Sequence, residues 1–146
     1  MEKLLVLFLR LTAAILLLAI PFIFVPHAWM DAIHQALGLG ALPDRPIVGY
    51  LTRSESLLYA MMGVIYWYGS CDVRRYLPLL RFSAWLLVVF TAIIIGIDVV
   101  SGLPTEWIVT EAVVLLLWGA GQFWLAYAVK ANEPIPSRES VPSADA

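Results

Sequence analysis

The stretch Ile97–Glu111, which reads IDVVSGLPTEWIVTE, joins two long apolar segments through a turn that contains Gly102 and Pro104. It also places Asp98 and Glu111 inside those segments, close to the turn. A carboxylate at the centre of a membrane helix costs roughly 2.5–3.5 kcal/mol on insertion scales, and such residues usually have a partner or a function. The stretch therefore predicts two neighbouring membrane helices with acidic residues near their shared end.

The composition of the whole chain is that of a membrane protein. Of its 146 residues, 62% are hydrophobic and 14% are charged, whereas about a quarter of the residues in a soluble domain are charged. The net charge of -2 and the absence of a basic stripe argue against a nucleic-acid partner. A single cysteine excludes an intrachain disulfide.

Four apolar runs predict an all-α fold, an integral membrane bundle of four up-and-down helices. The predicted spans are residues 4–25, 54–70, 80–100 and 107–129. The second run could instead begin at Pro46, which would draw Arg53 into the helix. Residues 1–130 are expected to form the transmembrane domain. Residues 131–146, rich in Pro, Ser, Glu and Asp, are expected to be a disordered cytoplasmic tail.

The first run and the connection after it contain further signals. A signal peptide is the alternative reading of the first run, but Arg10 splits the apolar core, so we expect an uncleaved helix. Pro21 should kink this helix and Pro26 should end it. The segment from Trp29 to Gly38 has helical spacing and is too short to span, so we predict a short interfacial helix in the first outer loop.

The basic residues are distributed unequally between the two sides of the predicted bundle. With both termini inside, the inner side holds Lys3, Arg10, Arg74, Arg75, Arg81, Lys130 and Arg138, and the outer side holds Arg45 and Arg53. By the positive-inside rule, both termini are expected to be cytoplasmic, in a multi-pass protein of the bacterial inner membrane. The acidic hairpin and the long first connection then share the outer face.

This shared outer face is the predicted functional site. It would bring together Arg53, Glu55, Asp98 and Glu111, with Arg53 as the counter-ion of Asp98, Glu111 or both. The favoured interpretation of these residues is a structural ion-pair network, and the alternative is a polar pocket for a small ligand or a proton.

Secondary polar candidates are His34, Tyr59, Arg10 and Gln122. Arg10 should either extend to the cytoplasmic headgroups or bond Gln122 or Tyr66. His27 is expected to precede the short helix, and no metal site is predicted, since no His-Glu-x-x-His pattern occurs. Gly63 and Gly119 are predicted to lie at helix contacts, where small residues allow close approach.

The opening Leu7-Phe-Leu-Arg-Leu-Thr-Ala-Ala14, the four short spans and the long first outer connection resemble the DoxX-like family of small four-helix membrane proteins. Arg10 matches the basic residue that commonly opens the first helix of that family. Its usual glycine pattern late in this helix is replaced here by Pro21-Phe-Ile-Phe-Val-Pro26. The resemblance implies the fold. Some members of that family are associated with quinone-linked sulfur oxidation. No residue of this sequence matches a site that would extend this activity to it.

Two classes of function follow. The favoured one is a non-enzymatic membrane module without a cofactor: an accessory subunit, a scaffold or a small-ligand binder. Its partners would be the lipid bilayer and other membrane subunits. The alternative is a redox-coupled subunit with a quinone as cofactor, for which we expect a cavity lined by Tyr59, Trp118 and the carboxylates.

Overall fold

The computed structural model describes residues 1–129, and this part of the chain contains five α-helices, one 3₁₀ helix and no strand. The α-helices are α1 (Glu2–Leu17), α2 (His27–Ala36), α3 (Pro46–Cys71), α4 (Val73–Ser101) and α5 (Thr105–Ala128), and the 3₁₀ helix is Ile20–Ile23. The predicted tail, 131–146, lies outside the described residues. The all-helical fold class is confirmed.

Helices α2 and α3 begin before Trp29 and residue 54, where the sequence placed their starts. Helix α2 begins at His27 and not at Trp29, because Pro26 occupies the N-cap position, where its missing N–H is not needed. Helix α3 begins at Pro46, so the earlier of its two possible starts is the correct one and Arg53 lies within it.

The third predicted span, residues 80–100, belongs to a longer helix, because α4 begins at Val73. The residues between the second and third predicted spans are therefore almost entirely helical and do not form a loop. Asp72 alone separates α3 from α4. Its Oδ1 accepts a hydrogen bond of 3.1 Å from the backbone N–H of Arg75, which caps the new helix. Pro78 is accommodated inside α4 near its start.

The turn between α4 and α5 is as tight as the sequence predicted. Gly102 adopts a left-handed conformation with φ of 70°, which glycine allows without steric cost. The backbone N–H of Leu103 donates to the carbonyl of Asp98 at 3.1 Å, which satisfies a carbonyl at the helix end. Pro104 then occupies the N-cap position of α5, and α4 packs closely along α5.

The helices form two closely packed pairs, α1 with α3 and α4 with α5, and α1 also contacts α5. Gly63 of α3 is buried against α1, and Gly119 of α5 is buried against α4. Both glycines lie at helix contacts, as predicted. A core cluster that includes Leu5, Leu9 and Leu77 joins the two pairs.

Three segments are long and apolar enough to cross a membrane: Glu2–Ile23, Val73–Ser101 and Thr105–Ala128. Many of their large apolar side chains face outward; Leu117, for example, is 70% exposed. Helices satisfy their own backbone hydrogen bonds, which is why they can cross hydrocarbon. The described chain therefore has the architecture of a small helical membrane protein. Helix α3 is not among the three segments.

Candidate functional site

One end of the molecule combines the α4–α5 turn with α2 and the start of α3, and we call it the turn end. A pocket at this end is lined by Met30 and His34 of α2, Glu55 and Tyr59 of α3, and Trp107 of α5. At the opposite end, which we call the basic end, Arg74 forms an ion pair of 2.9 Å with Glu2.

Asp98 lies at the turn end and is only 6% exposed. Its carboxylate oxygen Oδ2 is buried and has no hydrogen-bond partner among residues 1–129. Most buried polar atoms in proteins are hydrogen-bonded, so such an exception calls for a physical explanation. Asp98 is therefore a carboxyl group whose local environment, within the described chain, is incomplete.

Glu111 lies beside Asp98 on the next helix. Its Oε2 accepts a hydrogen bond of 2.8 Å from the indole Nε1 of Trp107, which is one helical turn earlier on the same face of α5. Glu111 is also within electrostatic range of both Asp98 and Glu55. Glu111 thus interacts electrostatically with two of the other predicted site residues, and the site itself stays a prediction.

We call Glu55, Asp98 and Glu111 the acidic cluster. Glu55 is the member of this cluster that lines the pocket. Its Oε1 accepts a hydrogen bond of 2.9 Å from the hydroxyl of Tyr59, and both side chains line a cavity of about 300 Å³. His34 and Tyr59, two of the secondary candidates, therefore lie in the pocket wall. Trp118 does not, since it packs against Phe8 with ring centroids 5.3 Å apart.

Arg53 does not have the predicted partner. Its guanidinium donates to the backbone carbonyls of Gly49 at 3.1 Å and Val25 at 3.3 Å. Among residues 1–129, no Lys, Arg or His nitrogen lies within 4 Å of the acidic cluster. The reason is geometric: Arg53 and Glu55 are two residues apart, which is about 200° around a helix of 3.6 residues per turn. They consequently face opposite sides of α3.

The polar side chains of α2 hold the loop that follows it. His34 Nδ1 donates to the carbonyl of Gly40 at 2.8 Å, and Asp31 Oδ1 accepts from the N–H of Leu42 at 2.7 Å. Gln35 donates to Asp31 Oδ2 at 2.8 Å. Hydrogen bonds from Gln35 and from Leu42 lower the pKa of Asp31 below its usual value of 3.8.

The histidines of α2 have roles in this loop. His27 Nε2 lies 3.4 Å from the carbonyl of Pro43, so both histidines contact backbone carbonyls. Within the described residues, no group of three or more His, Cys, Asp or Glu side chains could hold a metal ion.

Gln122 forms a fully buried polar junction between three helices. Its Oε1 accepts from the hydroxyl of Tyr66 at 2.9 Å. Its Nε2 donates to the carbonyl of Leu80 at 3.1 Å and to Ser83 Oγ at 2.6 Å. These bonds satisfy the amide and link α3, α4 and α5, which is a structural role.

Arg10 does not join that junction, so of its two predicted alternatives the bond to Gln122 or Tyr66 is not formed. The guanidinium carbon of Arg10 lies 5.7 Å from the ring centroid of Trp67, as a cation–π contact, and the side chain is exposed. Arg10 occupies the outside of the α1–α3 pair, whereas Gln122 faces α4 and the inward side of α3.

A second cavity, which the sequence analysis missed, lies between α3 and α4. It is a groove of about 540 Å³, bordered by residues from Met62 to Gly69 on α3 and from Tyr76 to Phe90 on α4. A groove between two helices depends on how the helices pack, so no local pattern in the sequence indicated it.

No family model, curated protein or solved structure matches this chain, so the resemblance to the DoxX-like family stays a prediction.

Proposed function

We propose that the protein is a non-enzymatic, multi-pass membrane protein that binds a small organic cation at the turn end. In this proposal α3 is a fourth span, which makes the chain an up-and-down four-helix bundle. Its 26 residues give about 39 Å of helix, enough to cross a hydrocarbon core of roughly 30 Å. Apolar residues such as Leu57 and Val64 are more than half exposed and would face lipid.

The proposed orientation is that of a bacterial inner-membrane protein with cytoplasmic termini. The support is the distribution of basic residues, because Arg74, Arg75 and Arg81 are near the basic end and only Arg45 and Arg53 are near the turn end. The acidic cluster would then open to the outer face of the membrane.

The observation that carries the ligand proposal is the pocket in which the Glu55 carboxylate lies with the aromatic side chains of Tyr59 and Trp107. At the same end of the molecule, Oδ2 of Asp98 is buried and has no hydrogen-bond partner among residues 1–129. Two further carboxylates, Glu111 and Glu55, lie within electrostatic range of one another. Like charges in a low-dielectric environment repel, so a bound cation would stabilise the cluster.

The pocket walls favour an organic cation over a bare metal ion. Tyr59 and Trp107 supply aromatic rings, and each hydrogen-bonds a carboxylate of the cluster. Aromatic faces attract ammonium groups through cation–π interactions. The cavity volume of about 300 Å³ lies at the lower end of the range for small-molecule sites and therefore suits a small ligand.

The test is thermal unfolding of the protein in mild detergent with tetramethylammonium chloride as the probe. A ligand at one hundred times its Kd stabilises the folded state by roughly 2.7 kcal/mol, so the Tm of the parent should rise. Sodium chloride at equal concentration controls for screening of the carboxylates. Glu55→Gln should abolish the specific rise and keep an acceptor for Tyr59, whereas Glu106→Gln should keep the rise, because Glu106 is an exposed carboxylate that does not line the pocket.

Equal stabilisation by the two salts, or an unchanged response in Glu55→Gln, would overturn the proposal. The same preparation tests the quinone-coupled alternative, since organic extraction and mass spectrometry would detect a bound quinone. A stoichiometric quinone would replace the cation proposal. Membrane subunits that co-purify would identify the protein as an accessory subunit or scaffold.

A further inference from the structure

The groove between α3 and α4 is separate from the acidic pocket and has a different chemistry. Most of its border is apolar, including Met62, Ile65, Leu79, Leu86, Leu87 and Phe90. Its volume of about 540 Å³ is within the range of roughly 300–1,000 Å³ found for small-molecule sites.

Two polar side chains in the middle of the groove, Tyr66 and Ser83, are already hydrogen-bonded. The hydroxyl of Tyr66 donates to Gln122, and that of Ser83 donates to the carbonyl of Leu80 at 3.0 Å while accepting from Gln122. A ligand in this part of the groove would therefore find hydrocarbon contacts and little unmet hydrogen-bonding capacity. That property favours an aliphatic chain over a polar or aromatic head group.

The shape of the groove is elongated. Its residues on α4 run from Tyr76 to Phe90, and fourteen residues of helix rise about 21 Å. One leaflet of a bilayer contributes about half of the roughly 30 Å hydrocarbon core. A groove of this length, parallel to a membrane helix, is longer than one leaflet and can therefore hold the full length of an acyl chain that enters from that leaflet.

A positive charge lies at one mouth of the groove. The guanidinium carbon of Arg75 is 5.7 Å from the ring centroid of Tyr76, which borders the groove. Arg75 is exposed, and within the described residues it has no carboxylate within 4 Å. Arg81, nearby in α4, is instead occupied with the carbonyls of Ala126 and Val129.

We propose that this groove binds an anionic phospholipid, with one acyl chain between α3 and α4 and the phosphate at Arg75. Charge at the mouth and hydrocarbon along the walls together match this class of lipid. The proposal depends on the membrane setting of α4 and not on the acidic cluster, so it can fail or hold independently of the cation site.

The experiment is native mass spectrometry of the full chain in mild detergent, with added phosphatidylglycerol or phosphatidylcholine that carry identical acyl chains. The parent should retain one phosphatidylglycerol with about fivefold preference, the effect expected of one basic residue near a lipid phosphate. Arg75→Gln should reduce that preference to near unity. Lys3→Gln, which also removes one exposed positive charge near the basic end, should leave it unchanged.

A second pair of variants tests the groove itself. Leu79→Trp should fill part of the groove and reduce retention of both lipids, whereas Leu117→Trp makes the same exchange at a surface position of α5 that does not border the groove. Both side chains are more than half exposed, so neither variant should unfold the protein. Equal retention of the two lipids by the parent, or binding unaffected by Leu79→Trp, would overturn the proposal.

Discussion

Gly63→Ala should weaken the contact between α1 and α3. A Cβ at this position would lie 2.9 Å from Leu17 Cγ, 3.1 Å from the backbone oxygen of Ala13 and 3.2 Å from Leu16 Cβ. The backbone oxygen of Ala13 and the Cβ of Leu16 are fixed to the helix backbone, so they can move only if α1 itself moves. The methyl group would therefore push the two helices apart along their closest approach.

The magnitude follows from two opposing effects. Overpacking of a well-packed core costs roughly 1–3 kcal/mol, while alanine in place of a mid-helix glycine stabilises by roughly 0.5–1 kcal/mol. The difference is a net loss of roughly 0–2.5 kcal/mol in the free energy of unfolding, and the midpoints of the two ranges give about 1 kcal/mol. Reversible unfolding in mixed micelles with increasing SDS, followed by circular dichroism, measures this difference.

Gly119→Ala is the matched control, because Gly119 is also buried at a helix contact. A Cβ there would lie 3.6 Å from Leu87 Cβ and 3.8 Å from Val88 Cγ2, which are ordinary van der Waals distances. This variant should be as stable as the parent or more stable by roughly 0.5–1 kcal/mol. If the two alanine variants have the same stability, or if their order is reversed, the close approach at Gly63 is wrongly described.

Three further predictions concern polar side chains. Gln122→Leu should lower the free energy of unfolding by roughly 1–3 kcal/mol, because the Tyr66 hydroxyl loses its acceptor. The same substitution should cost less in a Tyr66→Phe background, where that hydroxyl is absent. Arg81→Met should speed amide hydrogen exchange at the end of α5, because it removes bonds of 3.2 and 2.9 Å to the last carbonyls; unchanged exchange there would contradict this. The pKa of Asp31 is lowered by its bonds to Gln35 and the following loop, so its stabilising effect is complete above pH 3.8 and is lost as the pH falls through the lower folded value. The loop that Asp31 holds should therefore exchange its amide protons faster at low pH, and Asp31→Asn should remove this pH dependence. Amide exchange measured from about pH 2 to about pH 6, roughly the range in which a carboxyl group titrates, tests this.

The candidate site was predictable only in part. The positions of Asp98 and Glu111 near a short turn required them to approach each other, because consecutive helices joined by a tight turn pack side by side. The burial of Gly63 and Gly119 likewise followed from the preference for small residues where membrane helices meet. These inferences depend on local sequence and on chain connectivity.

The partner of Arg53 was not predictable in the same way. Charge and depth suggested Asp98 or Glu111, but the rotation of α3 about its axis directs Arg53 towards the carbonyl of Val25. Helical rotation is set by the packing of the whole bundle, to which the close approach of α3 and α1 at Gly63 is one contribution. The start of α4 at Val73 was missed because one capping residue, Asp72, was enough to begin a new helix.

The sequence by itself determined that the fold is helical, that several segments are apolar enough to cross a membrane, and that Asp98 and Glu111 lie near one turn. Four spans were predicted, and three described segments meet the criterion of length and hydropathy. Periodicity, hydrophobicity and turn residues act over a few positions, so they can be read without a structure. Only the tertiary structure decided which side chains meet across helices and that α3 and α4 diverge to leave a groove. Those features depend on how the helices rotate and pack against one another, and many distant residues contribute to that arrangement at once.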